Sequence, residues 1–296
     1  MYHIKHNQDL HTIEIEDSKK EVYAKINLSE GASLLLLTLS GRQIIKDLYP
    51  LTYSNTYASS ILFPFANRIK DGAYTFKGQN FLFEINQKEE NNALHGLVYN
   101  KIFTLIDEKT TERSASVILQ YEELKESIGF PYTFIIQLEY TLTNNGLSLG
   151  VSVKNTSTKA FPFTLGWHPY FDSSSLYDST LEFESNKKLI IGDRNITTGI
   201  ETIEPVSVFQ IKDKQLDDCY VLDSNEIVFK TPDYELFIKS TSQENFLQMY
   251  TPPKANTIAI EPTTGVSDSF NNEIGLQILN PNESYRLSWS VQVNNK

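Results

Sequence analysis

His168 stands in the run Phe161-Pro162-Phe163-Thr164-Leu165-Gly166-Trp167-His168-Pro169-Tyr170-Phe171, a titratable imidazole among aromatic side chains. Pro169 biases the residue before it away from helix, so His168 is expected on a strand or at a strand end. An imidazole held against aromatic faces suits proton exchange with a sugar, and equally suits a core histidine. Three further segments bear on that choice. In Phe63-Pro64-Phe65-Ala66-Asn67-Arg68-Ile69, followed by the turn pair Asp71-Gly72, Arg68 offers a rigid fork of donors and Asn67 both a donor and an acceptor. The alternative for Arg68 is a surface arginine near a turn.

In Asn91-Asn92-Ala93-Leu94-His95-Gly96, the glycine after His95 is expected to let the backbone approach a ligand closely. In Ile258-Ala259-Ile260-Glu261-Pro262-Thr263-Thr264-Gly265, a carboxylate ends an apolar run directly before proline. Such an acid is either at a strand end in solvent or held in a site for a purpose. Gly-x-Ser-x-Gly, Walker-type and dinucleotide-binding motifs are absent. Closely spaced His-x-His or His-x-x-x-His ligands are absent too. His3, His6 and His11 lie in a terminal segment expected to fray, so no metal is expected. What remains is acid–base chemistry by histidine and carboxylate.

The elements that must position these groups are strands, because the dominant hydrophobic period is two. Val22, Ala24, Ile26 and Leu28 alternate with polar partners. So do Phe134, Ile136, Leu138, Tyr140 and Leu142; Asn144-Asn145-Gly146 interrupts, and Leu147, Leu149, Val151 and Val153 resume. This predicts a hairpin whose apolar faces meet one core. Ala115 to Tyr121, Tyr234 to Ile238, and Leu287, Trp289, Val291, Val293 follow the same rule. No window reads as a capped amphipathic helix, and no repeat or linker breaks the chain. An all-β sandwich of large sheets, in one domain over residues 1–296, is the expectation.

With 296 residues and 40% hydrophobic content the chain has ample material for a core. A net charge of −11 argues against nucleic acid, which would need a basic stripe, and does not favour an anionic membrane surface. The N-terminal residues Met1 to Gln8 lack the apolar run of a signal peptide, and the longest apolar candidate, Leu34 to Leu37, is strand-sized. Cys219 is the only cysteine, so no intrachain disulfide forms. Sequons at Asn27, Asn155, Asn195 and Asn282 carry no weight without a secretion signal, and a cytoplasmic location is expected. Oligomeric state is left open.

Asn67-Arg68-Ile69, Leu94-His95-Gly96, Gly166-Trp167-His168-Pro169-Tyr170-Phe171 and Glu261-Pro262 together resemble, in order and separation, the aldose 1-epimerase (galactose mutarotase) family. The resemblance covers nearly the whole chain. It implies a large antiparallel β-sandwich, the galactose mutarotase-like supersandwich, in agreement with the period-two reading. It further implies that Glu261 is the general base and His168 the general acid, with Asn67, Arg68, His95 and an aspartate binding the sugar. For the aspartate, Asp217-Asp218-Cys219-Tyr220 resembles the family's segment; an aromatic three positions on favours Asp217, with Asp218 the alternative. The implied reaction interconverts α and β anomers of a free hexose such as glucose or galactose by ring opening and closure, with no cofactor. Glu261 would start ionised and His168 protonated, giving an acidic limb from the carboxylate and a basic limb from the imidazole. The competing readings are a hexose-6-phosphate 1-epimerase on the same fold, which would need more cations, and a non-catalytic sugar-binding protein.

Overall fold

The computed structural model describes residues 1–295. Alternation of apolar and polar residues becomes two large antiparallel sheets around one core. The first is a five-stranded meander, Tyr2–Asn7, Thr12–Asp17, Tyr23–Asn27, Ser33–Leu39 and Arg42–Ile45, paired in chain order. The second has 15 strands. It runs from Thr104–Thr110 through Ser114–Glu123, Phe134–Thr143, Gly146–Asn155, Ser284–Asn295, Tyr234–Ser240 and Glu226–Lys230 to Thr180–Ile191. From there it continues through Asp217–Val221, Phe246–Tyr250, Thr257–Thr263 and Gly166–Trp167 to Ile61–Leu62.

The expected hairpin forms with Leu142 opposite Leu147, and its turn is shorter than the sequence suggests: Gly146 already lies in the strand. Every second residue is buried, from Phe134 to Leu142 and from Leu147 to Val153. These side chains share one apolar cluster with Ile13, Ile15, Ala24, Ile26 and Leu37 of the five-stranded sheet, which makes the fold a sandwich. Trp167 and Trp289 stack within it at 6.5 Å. Helix among the described residues is confined to the short turns Tyr53–Thr56, Asp193–Asn195 and Ser269–Asn272. None is long and apolar enough to cross a membrane.

The N-terminal segment is not frayed. Tyr2–Asn7 pairs in full register with Thr12–Asp17, and His6 reaches Glu108 at 2.7 Å, so the strand is tied down by its ladder. One element has no sequence signature. The strands Thr180–Ile191 and Thr197–Gln210 form a long hairpin whose outer strand is mostly exposed and whose register slips three times.

Candidate active site

The floor of the site is a row of cross-strand neighbours. Cys219 lies opposite Gln248, and Gln248 opposite Glu261, on three adjacent strands. Directly opposed residues of an antiparallel ladder point to the same face, so these three side chains line up. Asp217, two residues from Cys219, shares that face, and its Oδ1 accepts a hydrogen bond from Gln248 Nε2 at 2.7 Å. Asp218 faces the other way and pairs with Lys188. Two small apolar clusters flank the row: Leu189, Cys219, Phe246 and Val266 on one side, Leu48, Tyr170 and Ala259 on the other.

Glu261 is not at a strand end in solvent. It sits inside Thr257–Thr263 and is 2% exposed. His168 follows the strand Gly166–Trp167, as Pro169 dictates, and its main chain is fixed on both sides. Its N–H donates to Ser60 O at 3.1 Å, and its carbonyl accepts from Ser59 N–H at 2.8 Å. The imidazole Nε2 then stands 3.3 Å from Glu261 Oε1. Tyr170 stacks on the ring at 5.0 Å and fixes its own hydroxyl on Thr56 O at 3.2 Å.

His95 meets His168 edge to face at 5.2 Å and Tyr57 at 4.8 Å. It is held in a left-handed conformation, φ 62°, uncommon for a side chain with a Cβ. Its N–H donates to Asn67 O at 2.8 Å, and Asn67 is itself left-handed at φ 60°. Gly96 makes a close approach of its own, to the main chain of Phe63. A Cβ there would lie 2.2 Å from Phe63 O, and the glycine is what lets the two loops touch.

Arg68, on Arg68–Lys70, is pinned rather than loose on the surface. Its Nε donates to Glu90 Oε2 at 3.1 Å and Gln87 Oε1 at 3.2 Å, and Nη1 to Asn67 Oδ1 at 2.9 Å. Nη2 has no protein partner among the described residues, so one edge of the fork remains for a ligand.

Burial dominates the electrostatics. It pushes the Glu261 carboxyl well above the usual carboxylate range; Asp217 adds to this and Arg68 opposes it. Burial likewise lowers His168 to about 4. His95 falls well below its ordinary value through burial, then through His168 and Arg68, so it is a neutral imidazole at neutral pH. Asp217 opens to solvent yet lies among enough protein for burial to raise it, with Arg68 pulling the other way. Burial also keeps the Cys219 thiol protonated.

Sequence reasoning missed Gln248, although a lone polar residue inside the buried run Phe246 to Met249 is a usable signal. It also missed Tyr57 and Glu90, which carry none: one is a loop aromatic and the other part of a charged run. No group of three or more His, Cys, Asp or Glu among the described residues is arranged to hold a metal ion. The His3, His6 and His11 trio forms no such group either.

Fold and site together define an all-β sandwich with a buried imidazole–carboxylate pair on its floor and directional hydrogen-bonding groups around it. The sequence profile of the aldose 1-epimerase family matches residues 11–292, and the chain belongs to that family. The uncharacterized protein YihR of Escherichia coli is 24% identical over 273 residues, 88% of this chain and 87% of that one. A galactose mutarotase-like protein from Clostridium acetobutylicum superposes with a TM-score of 0.87 at 20% identity, covering 100% of this chain and 99% of its own. Galactose 1-epimerase from Lactobacillus acidophilus NCFM gives 0.81 at 17% identity, covering 100% and 98%. At these identities the two solved structures establish a shared fold.

Proposed function

We propose that the protein is an aldose 1-epimerase, a mutarotase acting on a free hexose such as glucose or galactose, and that the whole chain works as one domain. The observation that carries this is the His168–Glu261 pair, 3.3 Å apart and buried. Glu261 takes the proton of the O1 hydroxyl while His168 gives one to the ring oxygen O5. The C1–O5 bond breaks as C1=O1 forms; the aldehyde end rotates, and closure returns both protons to give the other anomer. Each transfer is worth about 10²–10⁴-fold, roughly 3–5 kcal/mol.

The burial that disfavours both charges supports this chemistry. Ring opening converts a carboxylate and an imidazolium into a neutral acid and a neutral imidazole, the pair that a low-dielectric floor prefers. Arg68, neutral His95 and Asp217 bind the sugar hydroxyls, Gln248 orients Asp217, and Asn67 sets both Arg68 and the His95 loop.

A phosphorylated hexose fits less well. Three carboxylates, Glu261, Asp217 and Glu90, feel one guanidinium that Glu90 already engages, and Lys188 belongs to Asp218 on the other face. A binding-only role does not call for a matched acid and base.

Polarimetry on fresh α-D-glucose and α-D-galactose tests the reading. Acceleration of the drift to equilibrium is expected, and its absence with every free hexose, alongside ordinary sugar affinity, would leave a binding protein. Activity is expected to be unchanged in EDTA, because the chemistry is assigned to side chains. Loss of activity in EDTA with recovery on one divalent ion would overturn that assignment.

A further inference from the structure

The tip of the long hairpin, Gly192 to Ile196, is docked on the loop that holds Arg68. Asn195 Nδ2 donates to Glu90 Oε1 at 2.9 Å, while Glu90 Oε2 accepts from Arg68 Nε at 3.1 Å. The Glu90 carboxylate thus joins the arginine of the site to Asn195, a residue 105 positions further along the chain than Glu90 itself. The surrounding contacts hold the same geometry. Arg194 Nη1 donates to Glu90 O at 3.2 Å and to Asp71 Oδ1 at 2.8 Å. Asn92, fully buried, donates to Arg194 O at 3.1 Å, and Ser267 Oγ to Asn195 O at 2.8 Å.

Arg194 and Asn195 both sit at φ 58°, a conformation that favours asparagine and disfavours arginine. A tip left to local preference would not settle there, so the docking contacts set its shape. The outer strand of the hairpin is largely exposed, and the polar contacts its tip makes converge on the Arg68 loop and on Ser267.

We propose that Glu90, held from behind by Asn195, is the positioning residue that aims the free edge of Arg68 into the sugar site. The proposal rests on the reading of Arg68 as a sugar ligand. A guanidinium pinned at Nε and Nη1 presents Nη2 in one direction; released, it spreads over many rotamers, and the sugar must then order it on binding. The consequence falls on substrate affinity more than on the proton transfers at Glu261 and His168.

Two readouts test it. The chain has five arginines, so the Nε–Hε region of a ¹⁵N spectrum is sparse, and Arg68→Lys identifies the Arg68 signal. In folded Glu90→Ala that signal is expected to shift and exchange faster, and KM to rise about tenfold or more with kcat within about threefold. Glu90→Gln keeps an acceptor for Nε and should recover part of both. Asn195→Ala, which touches neither Arg68 nor sugar, should move both in the same direction by a smaller step. If the Arg68 signal and KM stay at wild-type values in Asn195→Ala and in the folded Glu90 variants, the hairpin contact is merely structural and the proposal falls. Should the wild-type protein accelerate no mutarotation, the catalytic reading fails separately, and the Arg68 signal alone decides this inference.

Discussion

Glu261→Gln is expected to lower mutarotation by at least about 10³-fold while the protein folds and still binds sugar. The amide fills the same space on the floor of the sheet and can still meet His168, but it cannot take the O1 proton. Burial already penalises the charged form of Glu261, so replacing it with a neutral amide costs the fold little. The melting temperature should stay within roughly 3 °C, the change that about 1 kcal/mol makes in a chain of this size. Sugar affinity should stay within about threefold, because the proposed ligands Arg68, His95 and Asp217 are untouched and the lost interaction strengthens only in the transition state. Equilibrium binding beside polarimetry separates the two effects. A folded Glu261→Gln protein turning over at the wild-type rate would take Glu261 out of the base role.

The fold was legible because two-residue periodicity is a local signal that survives without context. Phe134 to Val153 announces its hairpin from the alternation alone, and the structure differs only at Gly146. Pro169 and Pro262 likewise argue against helix at His168 and Glu261, which lie directly after the strand Gly166–Trp167 and inside Thr257–Thr263. Register across distant strands is not local. Nothing near Gln248 says that Cys219 and Glu261 will stand on either side of it, so its place on the floor emerges only when three strands are aligned. The Asp217–Asp218 alternative had the same origin: adjacent residues on a strand point to opposite faces, and only the ladder decides which face is the site. A glycine beside a histidine signals close approach without naming the partner, and at Gly96 the structure supplies one, Phe63. Glu90 hides in a run of charge that ordinarily faces solvent, and its partner Asn195 lies on a hairpin with no clear pattern of its own.

His168→Gln is expected to change the shape of the pH profile as well as its height. The sequence suggests that the carboxylate supplies the acidic limb and the imidazole the basic one. Burial overturns that simple order by raising Glu261 and lowering His168 to about 4. The two groups are 3.3 Å apart, close enough to titrate together, so the limbs of the free-enzyme profile belong to the pair. Below about 4 a second proton enters the pair and the base is lost. Above the raised carboxyl value the last proton leaves and no acid remains. Between these limits one proton is available, and the wild-type kcat/KM should form a bell across that window. In His168→Gln only the carboxyl titrates. Its remaining task is to be ionised, so the residual rate, lower by at least about 10²-fold, should rise with pH through the raised Glu261 value. The same pH region that forms the falling limb of the wild-type enzyme therefore becomes the rising limb of the variant. A variant that kept the wild-type rate and a bell with the wild-type falling limb would move the acid from His168 to its neighbour His95, whose ring lies 5.2 Å away.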